Sequence, residues 1–188
     1  CCFTLAAWNG CTMRTFTLMH TYDVAPAELL AAMLDPALNA FLAGRVPDLQ
    51  SRTELDRREE RGLIIRRVHC VPVPKIPEVA RSIVKPEMIE WIEEARVDVP
   101  RGLVTVHITP SGFKNVFSFK GTIRVDALPQ GGCVRRADAE LGIKMLVVGK
   151  YVEDYLIEEI RRNMDAEGNA LREFLLQRGG GQKHSASA

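Results

Sequence analysis

Aromatic residues are scarce: Phe, Tyr and Trp supply 6% of the 188 residues. A core built from this chain must therefore be largely Val, Ile, Leu and Ala. Charge of one sign is lacking too. The chain has 25 Lys and Arg against 24 Asp and Glu, a formal net charge of +1, so no global field gathers nucleic acid or anionic lipid, and neither is expected as a partner. Nothing approaches the roughly 18 to 20 consecutive apolar residues of a membrane helix, and no integral membrane association is expected. The run from Phe3 to Trp8 is too short for the apolar region of a secretory signal. A soluble cytoplasmic protein is the expectation.

Cysteine is sparse and irregular. Five residues, an odd number with no regular spacing, give neither a disulfide framework nor a paired zinc motif. His69-Cys70 is the one adjacent His/Cys pair, so no metal site is expected. The glycines of Gly131-Gly132 and Gly179-Gly180-Gly181 are not followed by Lys-Ser or Lys-Thr on a helix, as a phosphate loop requires. Neither a GxSxG elbow nor an HExxH pair occurs. No cofactor is expected.

What remains is one ordinary domain, with 46% hydrophobic and 26% charged residues, long enough to bury a core. Residues 1–12 read as a leader outside the fold, 13–177 as the domain, and 178–188, which offer no large apolar anchor, as a disordered tail. In residues 14–22, Phe16, Leu18, His20 and Tyr22 alternate with Thr15, Thr17, Met19 and Thr21, which predicts a strand. Ala25-Pro26 opens a short helix, because proline at the first helical position forfeits a hydrogen bond that would be absent anyway. Asp35-Pro36 ends it and opens a second, closed at Gly44, where a left-handed cap is expected.

Strands then follow in hairpins: 49–57 with 62–71, 88–98 with 103–109, and 116–128 with 133–145. Pro72, Pro74 and Pro77 keep residues 72–86 out of regular pairing, with one helical turn expected near 79–83. From Val148 to Leu175 apolar residues recur at steps of three and four, a long amphipathic helix.

One strand, two short helices, six antiparallel strands and a long last helix is an α+β order with segregated helices. One face of such a sheet needs a cover, and only the last helix is long enough. A curved seven-stranded sheet wrapped around it follows, with a space between them where a ligand can lie.

The order resembles the helix-grip fold of the START and birch-pollen-allergen superfamily, SRPBCC. The resemblance rests on Phe16-Thr17-Leu18-Met19-His20-Thr21-Tyr22-Asp23-Val24-Ala25-Pro26 at the opening. At the close it rests on Ile143-Lys144-Met145-Leu146-Val147-Val148-Gly149-Lys150-Tyr151, similar to the last-strand-to-helix junction of an uncharacterised bacterial family, with Leu146 where that family often has proline. It implies an internal cavity for a lipid or other hydrophobic small molecule. Some members are polyketide cyclases or dehydratases and some serve as chaperone cofactors, and both alternatives stay open.

Polar residues inside strands are the candidates for the site. His107 shares a face with Leu103 and Thr105. It either lines the cavity, where imidazole can act as acid or base, or faces solvent opposite Val104, Val106 and Ile108. Trp91 and Glu93 share the apolar face of Ala95 and Val97. Trp91 can stack on a ligand, and Glu93 is either a buried acid/base or the partner of an arginine such as Arg67. Tyr22, at the end of the first strand, can reach a ligand's head group or pack in the core. Tyr151 and Tyr155, four apart on the last helix, can present hydroxyls to the same space. The candidate catalytic set is thus His107, Glu93 and Tyr22, and the ligand-binding set Tyr22, Trp91, His107, Tyr151 and Tyr155.

Overall fold

A computed structural model describes the backbone of residues 13–76, 78, 85–112, 114, 117–143 and 149–182, and the side chains of the same residues except 143, 149–156 and 179–182. Seven strands form one antiparallel sheet: β1 (Met13–Tyr22), β2 (Leu49–Glu60), β3 (Leu63–Pro72), β4 (Trp91–Asp98), β5 (Leu103–Pro110), β6 (Phe117–Ala127) and β7 (Cys133–Ile143). Their spatial order is β1-β7-β6-β5-β4-β3-β2. Every neighbour except β1–β7 is also a neighbour in sequence. Helices α1 (Pro26–Met33) and α2 (Pro36–Ala43) follow β1, and α3 (Gly149–Gln182) follows β7. This is the helix-grip arrangement.

Local chemistry fixes the element ends. The Asp35 carboxylate accepts a hydrogen bond from the Ala37 amide at 2.8 Å, with Pro36 at the first helical position, satisfying a donor that the start of α2 would otherwise leave open. Gly44 closes α2 in right-handed rather than left-handed geometry, at φ −87°. Arg61 and Gly62 turn β2 into β3 with φ of 53° and 77°, two positive values that suit the twist of a tight hairpin. The hairpin is tighter than the four-residue connection expected, because β2 continues to Glu60. At the β4 end, Pro86–Met88 forms a single 3-10 turn and the strand starts at Trp91, since Pro86 favours the turn that the alternating pattern had assigned to a strand start.

The core lies between the concave sheet face and the three helices. Leu29, Leu30 and Ala32 of α1, Leu38 and Leu42 of α2, and Ala170, Leu171, Phe174 and Leu175 of α3 meet Val68, Ala95, Val97, Val104, Ile123 and Ala137 of the sheet. Nearer the start of α3, Ile157, Ile160 and Met164 pack near Phe119, Ala139 and Leu141.

Asp48, just before β2, gathers Lys75, Arg162 and Asn163, the last two at 2.6 and 2.9 Å. Burial opposes its charge, but these donors hold its carboxyl well below the usual carboxylate range. They clasp α3 to the start of β2.

Helix α3 runs beyond the expected end of the domain. Arg178 is helical and pairs with Asp35 at 2.8 Å, so the segment expected to be a tail from 178 is helical as far as Gln182. Residues 1–12, the expected turn near 79–83 and the start of the last helix at Val148 lie outside the described residues.

Candidate functional site

Charged side chains enter the apolar space between sheet and α3. Arg66 lies on the same face of β3 as Val68 and Cys70, and it is 6% exposed. Arg135, on the inner face of β7, is 1% exposed. The Arg52 side chain on β2 is similarly buried. Full burial of arginine is rare without partners.

Two carboxylates answer these three guanidiniums. Glu93 on β4 accepts from Arg52 Nη2 at 2.7 Å. Glu167, a partly buried residue in the apolar stripe of α3, stands 4.0 Å from Arg52 and 3.6 Å from Arg135. The curl of the sheet makes this possible, because β2 and β7 are distant along the sheet and Glu167 reaches both from the helix between them. Burial disfavours the charge on Arg52, yet Glu93 and Glu167 more than offset it and hold its guanidinium above the ordinary range. Arg66 has no carboxylate within ion-pair distance among the described residues and donates to the Met33 carbonyl at 2.9 Å. Burial, and then the neighbouring Arg52, pull its pKa down.

The guanidinium donors are not all used. Nε of Arg52, of Arg66 and of Arg135, and Nη1 of Arg135, are buried without a hydrogen-bond partner. Such groups are uncommon in native interiors, and each one left open costs about 1–3 kcal/mol or more.

Beside this cluster is a cavity of about 30 Å³, room for a water or two. Its walls are Leu30, Met33 and Leu34 after β1, Leu38 and Leu42 of α2, Ala95, Val97, Val104, Val106 and Ile123 of the sheet, and Leu171 of α3; its polar lining is Arg52, Arg66, Glu93 and Glu167. The aliphatic composition did leave a space, but a small one.

Of the described side chains singled out from sequence as site candidates, Glu93 alone lines this cavity. Its partner is Arg52 and not Arg67, which lies on the opposite face of β3 and pairs with Asp56 at 3.1 Å. His107 is exposed on the outer face of β5, opposite Glu94 and Lys120 in register. That placement separates it from the cavity, because the alternation that points Val104 and Val106 inward points His107 out. Tyr22 is 3% exposed and donates its hydroxyl to the Gly168 carbonyl at 3.0 Å, so that hydroxyl joins β1 to α3 rather than facing the cavity. Trp91 packs against the core edge away from the cavity lining, with a buried Nε1 that has no partner. Tyr151 and Tyr155 sit in the first turns of α3, and their side chains lie outside the described residues.

His69 and Cys70 point to opposite faces. His69 pairs with Glu90 at 2.8 Å on the outer side, whereas Cys70 is buried inside. No cluster of three metal-ligating side chains occurs among the described residues.

Burial, with Glu93 nearby, pushes the Cys70 thiol from its ordinary value near 9.0 up to about 12, and burial raises the Tyr22 hydroxyl from 10.0 to about 12. Both groups are neutral in the folded protein where the unfolded chain would ionise them. Their contribution is complete below pH 9 and is lost as pH rises from 9 towards 12. Urea midpoints are expected to hold to pH 9 and fall beyond it. Burial raises the Cys133 thiol as well, so Cys70→Ala should make the fall above pH 9 shallower, and adding Cys133→Ala should move the onset to about pH 10, where Tyr22 begins to matter. The same onset and slope in wild type and the double variant would remove the thiols from this account.

The comparisons with known proteins agree with the geometry. A family model described as "Protein of unknown function (DUF2505)" matches residues 17–175. No curated protein matches the sequence. Among solved structures, the Zhui aromatase/cyclase from Streptomyces sp. R1128 superposes with a TM-score of 0.63 at 18% identity, covering 89% of this chain and 96% of that one. TTHA0849 from Thermus thermophilus gives 0.64 at 16% identity, with 93% and 100% covered. Norcoclaurine synthase from Thalictrum flavum, in complex with dopamine and hydroxybenzaldehyde, gives 0.60 at 16% identity, with 89% and 88% covered. At these identities the likeness is one of fold. Among the described residues, no helix is long and apolar enough to cross a membrane.

Proposed function

Because the chain belongs to the DUF2505 family, whose members are proteins of unknown function, and has the helix-grip fold, we propose that it binds a small, largely apolar molecule between the sheet and α3. The observation that carries this reading is the convergence of Arg52, Arg66, Glu93 and Glu167 on the wall of an otherwise aliphatic cavity. An apolar hollow with a few directed polar groups is the usual composition of a small-molecule site. A core that served only packing would gain nothing from three buried guanidiniums with open donors.

The cavity of about 30 Å³ is smaller than the roughly 300 Å³ at which ligand pockets begin. Binding therefore widens it. Met33 has a flexible, polarisable side chain that repacks at low cost, and α1 and α2 are short helices on the rim. Two solved structures of the same fold carry enzyme names, the aromatase/cyclase and norcoclaurine synthase. Holding the molecule is the reading favoured here, because of the acid/base candidates singled out from sequence only Glu93 lines the cavity, and it is tied to Arg52. A cytoplasmic carrier or sequestering protein fits this reading.

Native mass spectrometry of the purified protein tests it, together with Ala95→Leu, which places a larger side chain at a buried wall position on β4. Wild type is expected to retain a small apolar molecule, and Ala95→Leu to retain at least tenfold less with its far-UV spectrum unchanged. Equal retention by both would place the molecule elsewhere. No retained molecule, and no uptake of added 1-octanol, would sink the proposal.

A further inference from the structure

We propose that the molecule taken into the sheet–helix cavity carries a single carboxylate on its apolar body, and that this carboxylate sits on the Arg66 guanidinium. The inference rests on the binding function proposed above and narrows it to a ligand class. Three buried guanidiniums, Arg52, Arg66 and Arg135, face two carboxylates, Glu93 and Glu167. Among the described residues the interior is thus one negative charge short.

The shortfall falls at one residue. Arg52 has Glu93 at 2.7 Å and Arg135 has Glu167 at 3.6 Å, while among the described residues Arg66 makes only its bond to the Met33 carbonyl. Arg57 and Glu54, the other charges near Arg66, satisfy each other at 2.7 Å. Arg66 is 6% exposed, has a buried Nε with no partner and lines the cavity with Leu30, Met33 and Ala95. A guanidinium matches the planar, two-pronged geometry of a carboxylate. Water in the cavity can accept hydrogen bonds from Arg66 but does not neutralise it. A monoanion does both, and the surrounding aliphatic wall takes the rest of the molecule.

Chain-matched probes separate this proposal from the one on which it rests. Octanoate, 1-octanol and octyl phosphate are titrated calorimetrically into wild type and Arg66→Met at pH 7.5. Octanoate is expected to bind at least tenfold more tightly than 1-octanol, and more tightly than the more highly charged octyl phosphate. In Arg66→Met the octanoate preference should fall to within about twofold, with 1-octanol affinity unchanged. The urea midpoint of the ligand-free variant should be unchanged or higher, since an uncompensated buried cation has been removed.

Equal affinity for octanoate and 1-octanol would overturn the carboxylate assignment and leave apolar binding standing. Binding of 1-octanol alone would mean that water satisfies the guanidiniums, and would overturn it as well. A preference that survives in Arg66→Met, or a lower urea midpoint with octanoate affinity intact, would show that Arg66 is not the anchor. If none of the three probes binds, the binding function itself falls.

Discussion

Replacing Glu93 with alanine should cost about 3–5 kcal/mol of folding stability, the usual result of removing one partner from a buried ion pair. Glu93 is the carboxylate bonded to Arg52 at 2.7 Å, and their side chains are 14% and 7% exposed. Without it, Glu167 alone must serve three buried guanidiniums. Such a loss is a large part of the roughly 5–15 kcal/mol typical of a whole domain. The double variant Arg52→Met with Glu93→Leu removes both charges and fills similar volume, so it should recover most of the loss. Urea unfolding of Arg52→Met, of Glu93→Leu and of the double variant closes the cycle. A loss below about 1 kcal/mol for Glu93→Ala would mean that solvent reaches the pair and screens it.

Gly168→Ala on α3 is expected to destabilise the protein by about 2–3 kcal/mol, the scale of forcing extra volume into a packed interior. Helix propensity alone predicts the opposite sign, a gain of about 1 kcal/mol for alanine over glycine. The added methyl would lie within 2.5 Å of Nδ1 and Nε2 of His20, far inside van der Waals contact. His20 cannot easily yield, being 5% exposed and held by Asp165 at 2.9 Å. The neighbouring Tyr22 hydroxyl bonds to the carbonyl of the same glycine, so β1 and α3 lie close together at Gly168. A fall in Tm of several degrees, largely restored by adding His20→Ser, is the expected pattern. Should Gly168→Ala be as stable as wild type, the helix would have to sit further from β1.

Most of this architecture is legible in the residues. The alternation in β1, the Pro26 and Asp35-Pro36 signals and the three hairpins are local patterns, and local patterns survive folding well. The site was harder to read. Arg66 and Arg135 share inward faces with Val68 and Ala137 respectively, so strict face parity would have found them. Residue type argued otherwise, because arginine is ordinarily a surface residue. Glu167 was hidden in the same way, three residues after Met164 and four before Leu171 on the apolar stripe of α3.

Arg52 could not have been found by parity at all. The register of β2 against β3 shifts between Leu49 and Ser51 and again between Glu54 and Asp56. Residues opposite the inward positions of β3 are therefore Leu49, Arg52, Glu54, Arg57 and Glu59, separated by three, two, three and two positions. An alternation-based reading assumes two throughout.

Those shifts bear on how the molecule behaves among copies of itself. Strand β2 is the last in the sheet order, and an open strand edge is a template for another chain's backbone. Two bulges break its row of amides and carbonyls, and Arg57, Arg58, Glu59 and Glu60 crowd its final residues with charge. The irregularity that carries Arg52 inward also leaves this edge a poor template for pairing with another chain.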